Sequence, residues 1–295
     1  MFHGKNALPK RCGLSLFAAL AIGGSIAACG DDDEDEGAKP KAAKPAKVSV
    51  AVTELGRRRN RVSVPRSVRA GVVTVELQNT GKRAHSAQLV RIDGDHTPKE
   101  ALKATQGEGK PIPGWIHPAG GLGAVRPGRS GSATQVLRPG NYIVFDEGDE
   151  EDGGGSKPAF ARLSVTGRQA GGALPKWAGS IVAREYSFTA SGLRVGKNTL
   201  RFVNAGRELH HVVAAPLKPG ATLADLRKAL REERGEPPID FKRTNDSAVI
   251  DAGTSQITQL EFQKPGRYAL MCFIQDRKGG PPHVAKGMIT LTTVR

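Results

Sequence analysis

Apolar and polar residues alternate along several short stretches of the chain. Val72 to Leu77 and Asn198 to Val203 both do so, which is the period of a half-buried strand. Each stretch runs into a turn signal, Asn79-Thr80-Gly81 in one and Asn204-Ala205-Gly206 in the other. Further strands are predicted over His211 to Ala215, Ser255 to Phe262, Tyr268 to Cys272 and Gly287 to Val294. Thr222 to Arg234 breaks the alternation. Leu223, Leu226, Ala229 and Leu230 recur there at helical spacing, with acidic residues early and basic ones late, so a helix is inserted between strands.

The two halves repeat each other. Val68 to His85 reads VRAGVVTVELQNTGKRAH and Leu193 to His210 reads LRVGKNTLRFVNAGRELH. Gly71 and Gly196, Thr74 and Thr199, Asn79 and Asn204, Gly81 and Gly206, and His85 and His210 all stand 125 positions apart. The offset becomes 126 at Pro139-Gly140-Asn141-Tyr142 and Pro265-Gly266-Arg267-Tyr268. A nearly constant offset marks a duplication. It divides the chain into domains at 47–167 and 180–295, joined by a linker at 168–179 that contains Gly171-Gly172 and Pro175. Short strands punctuated by turns predict an all-β fold, two tandem Greek-key β-sandwiches each with a short inserted helix.

The N-terminus reads differently. Lys5, Lys10 and Arg11 precede an apolar run from Leu14 to Ile26, too short to span a membrane comfortably. The run ends in Ile26-Ala27-Ala28-Cys29. This arrangement resembles the lipobox of bacterial lipoproteins, which implies a signal peptide at 1–28 and a lipidated Cys29; the alternative is an ordinary secretory signal with a chance cysteine. Either predicts export, and the first predicts a membrane anchor in the cell envelope. Residues 29–46 begin with an Asp/Glu run and continue in Lys, Pro and Ala, the composition of a disordered tether.

Charge and cysteine usage narrow the chemistry. The formal net charge is +15, with scattered basic residues and one short cluster at Arg57, Arg58, Arg59 and Arg61. No nucleic-acid-binding signature accompanies it, so an anionic surface or an acidic redox partner is the expected target. Cys12 lies in the signal and Cys29 is the lipid acceptor, which leaves Cys272 as the single thiol of the folded region. No intrachain disulfide can form there. Cys272 is then a buried apolar residue, a nucleophile or a metal ligand.

Cys272, His283 and Met288 lie in one segment, CFIQDRKGGPPHVAKGM, and His210-His211 follows the upstream Asn-x-Gly turn. Thiolate, imidazole and thioether suit copper, and two His, one Cys and a weak axial Met form a blue-copper electron-transfer site. The pattern Asn204-x-Gly206 … His210, Gly266-x-Tyr268 … Cys272 … His283-x-x-x-x-Met288 resembles the plastocyanin and azurin type of cupredoxin. That resemblance implies Cys272 as thiolate ligand, His210 and His283 as imidazole ligands, Met288 as axial ligand, and one type 1-like copper ion. It covers the second domain well and the first in fold only.

Two features depart from the family. Ten residues, Phe273 to Pro282, separate Cys272 from His283, where familiar members have a few. His210 and His211 are adjacent, and neighbouring strand residues face opposite sides, so one of the two reaches the metal. The match to His85 favours His210. In the first domain His85 persists, but Asp146 stands where a cysteine would fall and no methionine matches. That domain is expected to be copper-free, with His85, His96 and His117 structural or exposed.

Catalysis is not the expectation. Cys272 is flanked by Met271 and Phe273, and the chain has no His-x-His pair, so the wired second copper centre of multicopper oxidases and nitrite reductases is missing. The single cysteine rules out a binuclear purple copper site. No Gly-x-Ser-x-Gly, His-Glu-x-x-His or phosphate-binding Gly-Lys-Ser/Thr motif occurs. A Cys272–His283 nucleophilic dyad fits the duplicated pattern less well. The expected function is one-electron transfer with a redox partner protein. The alternatives are non-redox copper binding at the cell surface and a metal-free partner-binding sandwich.

Overall fold

The alternation becomes burial. In β4 (Gly71–Gln78) and β12 (Gly196–Asn204) every second residue is buried. In β8 (Gly140–Asp146) and β16 (Gly266–Met271) both faces are covered. Tyr142 and Val144 point into the core between two sheets, and Ile143 and Phe145 into a second cluster behind them. Tyr268 and Leu270, against Ala269 and Met271, divide in the same way. The fold is all-β. The computed structural model describes residues 44–56, 59–105, 109–147, 158–169, 172–232 and 237–295, all within one compact unit, Ala42–Arg295. Residues 1–43, with the expected signal peptide, Cys29 and most of the expected tether, and Arg57-Arg58 lie outside the described residues.

The first half also contains β1 (Ala46–Glu54), β2 (Asn60–Ser63), β3 (Ser67–Arg69), β5 (His85–Ile92), β6 (Ile116–Val125), β7 (Ser130–Leu137) and β9 (Ala159–Thr166). The second contains β10 (Gly179–Arg184), β11 (Ser187–Ser191), β13 (Val213–Pro216), β14 (Asn245–Asp246), β15 (Ser255–Phe262) and β17 (Ile289–Val294). One eight-stranded sheet runs β11-β10-β12-β15-β7-β4-β1-β2 through both halves. Its seam is the β15–β7 pair, with Gln256 opposite Gln135 and Ile257 opposite Thr134. On either side of that seam the order is the same. β12 and β4 flank the seam pair, and each pairs in parallel with the strand beyond it, β10 or β1.

Facing this sheet are β3-β9-β8-β5-β6 in the first half and β14-β13-β16-β17 in the second. Isolated bridges Ala119–Ile250 and Leu122–Ser247 join them. Helices α1 (Pro98–Thr105) and α2 (Leu223–Glu232) each bury one residue, Ala101 or Leu226, against the outer face of this second layer. Both open on a capping box. Thr97 Oγ1 accepts the Glu100 N–H while Glu100 Oε2 accepts the Thr97 N–H, and Thr222 and Asp225 repeat the exchange.

Three expected strand boundaries shift. The strand expected from His211 begins at Val213, because the His210 backbone is engaged in an isolated bridge to Ile250. The strand expected through Cys272 ends at Met271, and the Cys272 carbonyl accepts from Val284 N–H at 2.7 Å, so it belongs to the loop. The last strand begins at Ile289, after a turn in which Met288 N–H donates back to the His283 carbonyl.

Candidate metal centre

Cys272 owes its place to period two. Tyr268 and Leu270 face the core of the second half, and the next residue of that face is Cys272, which is fully buried. His210 is brought there by the Asn-x-Gly turn. Asn204 Nδ2 donates to the carbonyls of Glu208 and Ile250, and Asn204 Oδ1 accepts from Gly206 N–H. Glu185 Oε1 takes the N–H groups of Arg207 and Glu208 from outside. Glycine at 206 leaves the space that the Glu185 carboxylate fills, and a Cβ there would push that side chain away from the turn. His283 begins the turn that ends at Met288 and hangs from the loop by its N–H to the Ile274 carbonyl, 2.8 Å.

These elements converge. Cys272 Sγ lies 3.7 Å from His210 Nδ1 and 3.5 Å from His283 Nδ1, and the two Nδ1 atoms are 3.2 Å apart. The centre of this triangle is about 2.0 Å from each atom, the length of a metal–imidazole bond and a little short for a metal–thiolate one. Three side chains with no exposure to solvent thus point their donor atoms at one place, and the group could hold one metal ion. Met288 is also fully buried, in the same apolar cluster as Cys272. His211 turns the other way, where its Nε2 accepts Phe273 N–H at 2.9 Å.

The surroundings prepare the donors. Burial raises the Cys272 thiol to about 11. Burial, then the neighbouring His210, lower His283 to about 4. Burial lowers His210 as well, against the attraction of Glu185. Both imidazoles are therefore neutral at pH 7, and a bound cation takes the place of the thiol proton.

Each ring also faces a carboxylate on its far side. His283 Nε2 is 3.0 Å from Asp276 Oδ1, and His210 Nε2 is 3.5 Å from Glu185 Oε1 without a hydrogen-bonding geometry. Burial raises the Asp276 carboxyl, but Lys286 and Tyr186 outweigh it and hold Asp276 below its ordinary value. An ionised Asp276 keeps the His283 proton on Nε2 and leaves the Nδ1 lone pair aimed at the thiol, which is how an outer carboxylate orients a metal-binding histidine.

The loop's other polar side chains lead into the first half. Gln275 donates to the Lys110 carbonyl and accepts from Gly109 N–H, and Arg277 reaches the carbonyls of Pro113 and Ile116. Neither Glu185, Asp276 nor Arg277 carried a signal in the sequence.

No protein-family model matches this chain, and no curated protein does. Solved structures match at low similarity. Auracyanin B is 23% identical with a TM-score of 0.26, over 39% of this chain and 86% of its own. Reduced auracyanin from Roseiflexus castenholzii is 22% identical with a TM-score of 0.25, over 39% of this chain and 94% of its own. Copper nitrite reductase from Nitrosomonas europaea is 14% identical with a TM-score of 0.26, over 85% of this chain and 93% of its own. The structural neighbours thus include auracyanins and a copper nitrite reductase, and scores this low carry no argument about function. The functional reading is carried instead by the sheets and the triangle of donor atoms.

Proposed function

We propose that this chain is an exported, lipid-anchored copper protein whose second half carries one mononuclear type 1-like site for one-electron transfer. The observation that carries the reading is the buried triangle of one sulfur and two Nδ1 atoms at 3.2–3.7 Å. Two imidazoles and a thiolate, with Met288 beside them as axial ligand, are the donor set that selects copper for electron transfer. Copper bound there would supply a one-electron couple.

The protein's own residues supply the rest. Cys272 gives up its proton on binding. His210 and His283 present Nδ1. The apolar cluster of Phe262, Tyr268, Leu270 and Met288 keeps water out. Asp276 holds the outer edge of the His283 ring, and the Glu185 carboxylate lies 3.5 Å from that of His210, so little has to move when the charge at the centre changes.

The anchor at Cys29 and the tether would carry this unit on a membrane of the cell envelope, and the basic surface would meet an acidic redox partner. Export and anchoring rest on the lipobox-like segment alone; a Cys29→Ser chain that stays with the membrane fraction would sink them.

One observation favours a second reading, non-redox copper binding at the cell surface. Both imidazoles are fully buried, so neither ring edge meets a partner directly. The test is Cu(II) added to the chain lacking residues 1–29, followed by visible absorption and a cycle of reduction and reoxidation. An intense thiolate-to-copper band that bleaches and returns, and that is absent in Cys272→Ser, supports electron transfer. A band that does not cycle supports storage. No band and no stoichiometric copper leaves a metal-free sandwich.

A further inference from the structure

Ten residues between Cys272 and His283 are too many for the ligands alone to hold in place. A loop of that length costs little to close, but local opening is equally cheap unless its backbone and side chains are tied down. The second half supplies some ties. Arg277 N–H donates to Glu208 Oε2 at 2.6 Å, Gly279 N–H to the Asp276 carbonyl at 2.8 Å, and Gln275 bridges Pro282. Further ties within this half reach Asp276 from Tyr186 and Lys286, and a second set of contacts crosses to the first half of the chain, to residues 109–116.

Those crossing contacts are dense. Ile112 N–H donates to the Arg277 carbonyl at 2.8 Å and Gly280 N–H to the Gly109 carbonyl at 3.1 Å. Gln275 forms its two-way exchange with Gly109 and Lys110. Gly279 has a positive φ of 86° and lies so close to the Gly109 carbonyl that a Cβ would collide with it. Arg277 gathers these ties. Its Nη1 donates to the Ile116 carbonyl at 3.1 Å, and its Nη2 to Asp251 Oδ1 at 2.8 Å. The other Asp251 oxygen is 2.9 Å from His117 Nδ1 in the first half. The residue before Arg277 is Asp276, whose carboxylate meets His283 Nε2 at 3.0 Å.

We propose that the first half of the chain is a clamp on the ligand loop, and that Arg277 is the positioning residue through which it fixes Asp276 and hence His283. The proposal rests on the copper reading for its consequence at the metal, but the clamp itself is a property of the protein without metal. A planar guanidinium that spans two carbonyls and a carboxylate sets direction as well as distance. Fixing the Arg277 side chain on one side and Arg277 N–H on Glu208 on the other holds the backbone beside Asp276, while Tyr186 and Lys286 meet its carboxylate directly. Its carboxylate then holds the His283 ring with Nδ1 toward Cys272. The first half, which has no donor triangle among its described residues, therefore still shapes the one in the second half.

The test uses the mature chain with Arg277→Ala and Arg277→Lys. In the metal-free protein, the rate at which an aromatic disulfide reagent modifies Cys272 reports loop opening. The clamp predicts a rate about ten-fold higher in Arg277→Ala, with partial rescue in Arg277→Lys, since an ammonium lacks the fork that meets all three acceptors. In the copper form, loss of an outer positioning contact should weaken metal binding by about ten-fold, the lower end of what such losses cost, and shift the Cu(II) hyperfine splitting.

If Arg277→Ala does not fold, Gln275→Ala, which removes the exchange with Gly109 and Lys110, carries the same measurements. A folded variant that labels at the wild-type rate overturns the clamp. Faster labelling in a protein that binds no copper upholds the clamp and overturns the copper reading. Faster labelling with an unaltered Cu(II) spectrum overturns the link from Arg277 to His283.

Discussion

The two halves carry the same pocket with opposite contents. In the first, Asp146 is the inward residue that follows Tyr142 and Val144, as Cys272 follows Tyr268 and Leu270. His85 faces Asp146 at 2.9 Å through Nδ1 and Glu54 at 3.2 Å through Nε2. Glu54 takes the N–H groups of Lys82 and Arg83, as Glu185 takes those of Arg207 and Glu208. Burial lowers both histidines, but in the first half Asp146 and Glu54 outweigh it and His85 ends raised, whereas His210 ends lowered. A buried imidazole needs a compensating partner. The first half meets that need with a carboxylate, the second with a thiol and a second imidazole that leave room for a cation. Asp146 in place of Cys272 at one inward position, and the second imidazole that His283 brings, separate a closed ion pair from a candidate metal site.

The largest effect should come from making the second pocket resemble the first. Cys272→Asp removes the soft sulfur and places a carboxylate beside His210 and His283. The thiolate-to-copper band should vanish completely, and any copper that still binds should give the wide hyperfine splitting of a site without thiolate. The matching experiment in the first half acts on stability. Asp146→Ala takes the buried partner from His85 Nδ1, leaving Glu54 on Nε2, and also removes the acceptor of Ser86 N–H and Asn60 Nδ2. Breaking such a buried pair costs about 3–5 kcal/mol, to be read from urea denaturation, while the copper band should be unchanged. A band that shifts with Asp146→Ala would mean that the two pockets are coupled.

The same ion pair has a pH signature. His85 is raised, so its contribution is complete below about pH 6.5 and is lost as the pH climbs through the folded value. Asp146 is lowered, mainly by His85 and Ser86 against the push of burial, so its contribution is present above its ordinary carboxyl range and is lost as the pH falls through the folded value. Glu54, also lowered, and the Arg83 guanidinium 3.8 Å from it complete the charged surroundings. The stability difference between wild type and His85→Gln should therefore be widest near pH 5 and narrow by pH 9. A constant difference across that range would remove the ion pair from the account.

How much of this could be read beforehand varies with sequence distance. The alternating strands and the apolar spacing of α2 come from patterns within about ten residues, and they stand in the structure apart from shifted ends, whereas the Thr222–Asp225 capping box comes from the structure. The inward position of Cys272 comes from counting twos from Tyr268. The Asn-x-Gly turn repeated at Asn79 and Asn204 leads to His85 and His210. Asp146 was recognisable as the counterpart of Cys272, but its bond to His85 was not, because a substitution pattern does not reveal which charges meet. Glu185 and Asp276 have no fixed spacing from the histidines they face. The contact of Gln275 with Lys110 spans 165 positions, and no local periodicity encodes it. His117, expected as a structural or exposed remnant, lies between Asp93 and Asp251 at the junction of the halves.

The smallest effect tests whether the duplication extends to energetics where the chemistry has not diverged. Tyr142 donates its hydroxyl to the Arg138 carbonyl at 2.8 Å, and Tyr268 donates to the Lys264 carbonyl at 3.0 Å, each reaching four residues back across the Pro-Gly turn. Burial raises both phenols, Tyr142 to about 12, so both stay neutral donors at any pH at which the fold is studied. Tyr142→Phe and Tyr268→Phe each delete one hydroxyl and leave the ring in its core. Each should cost about 1 kcal/mol, the net worth of one such bond. The double variant should cost their sum, because the two corners share no partner. Equal and additive losses in thermal or urea denaturation would show the two scaffolds equivalent. The difference between the halves then lies in the pocket residues and not in the sheets that hold them. A loss confined to one corner would show that the scaffold itself has diverged, and that the contrast between Asp146 and Cys272 is only part of what separates the two pockets.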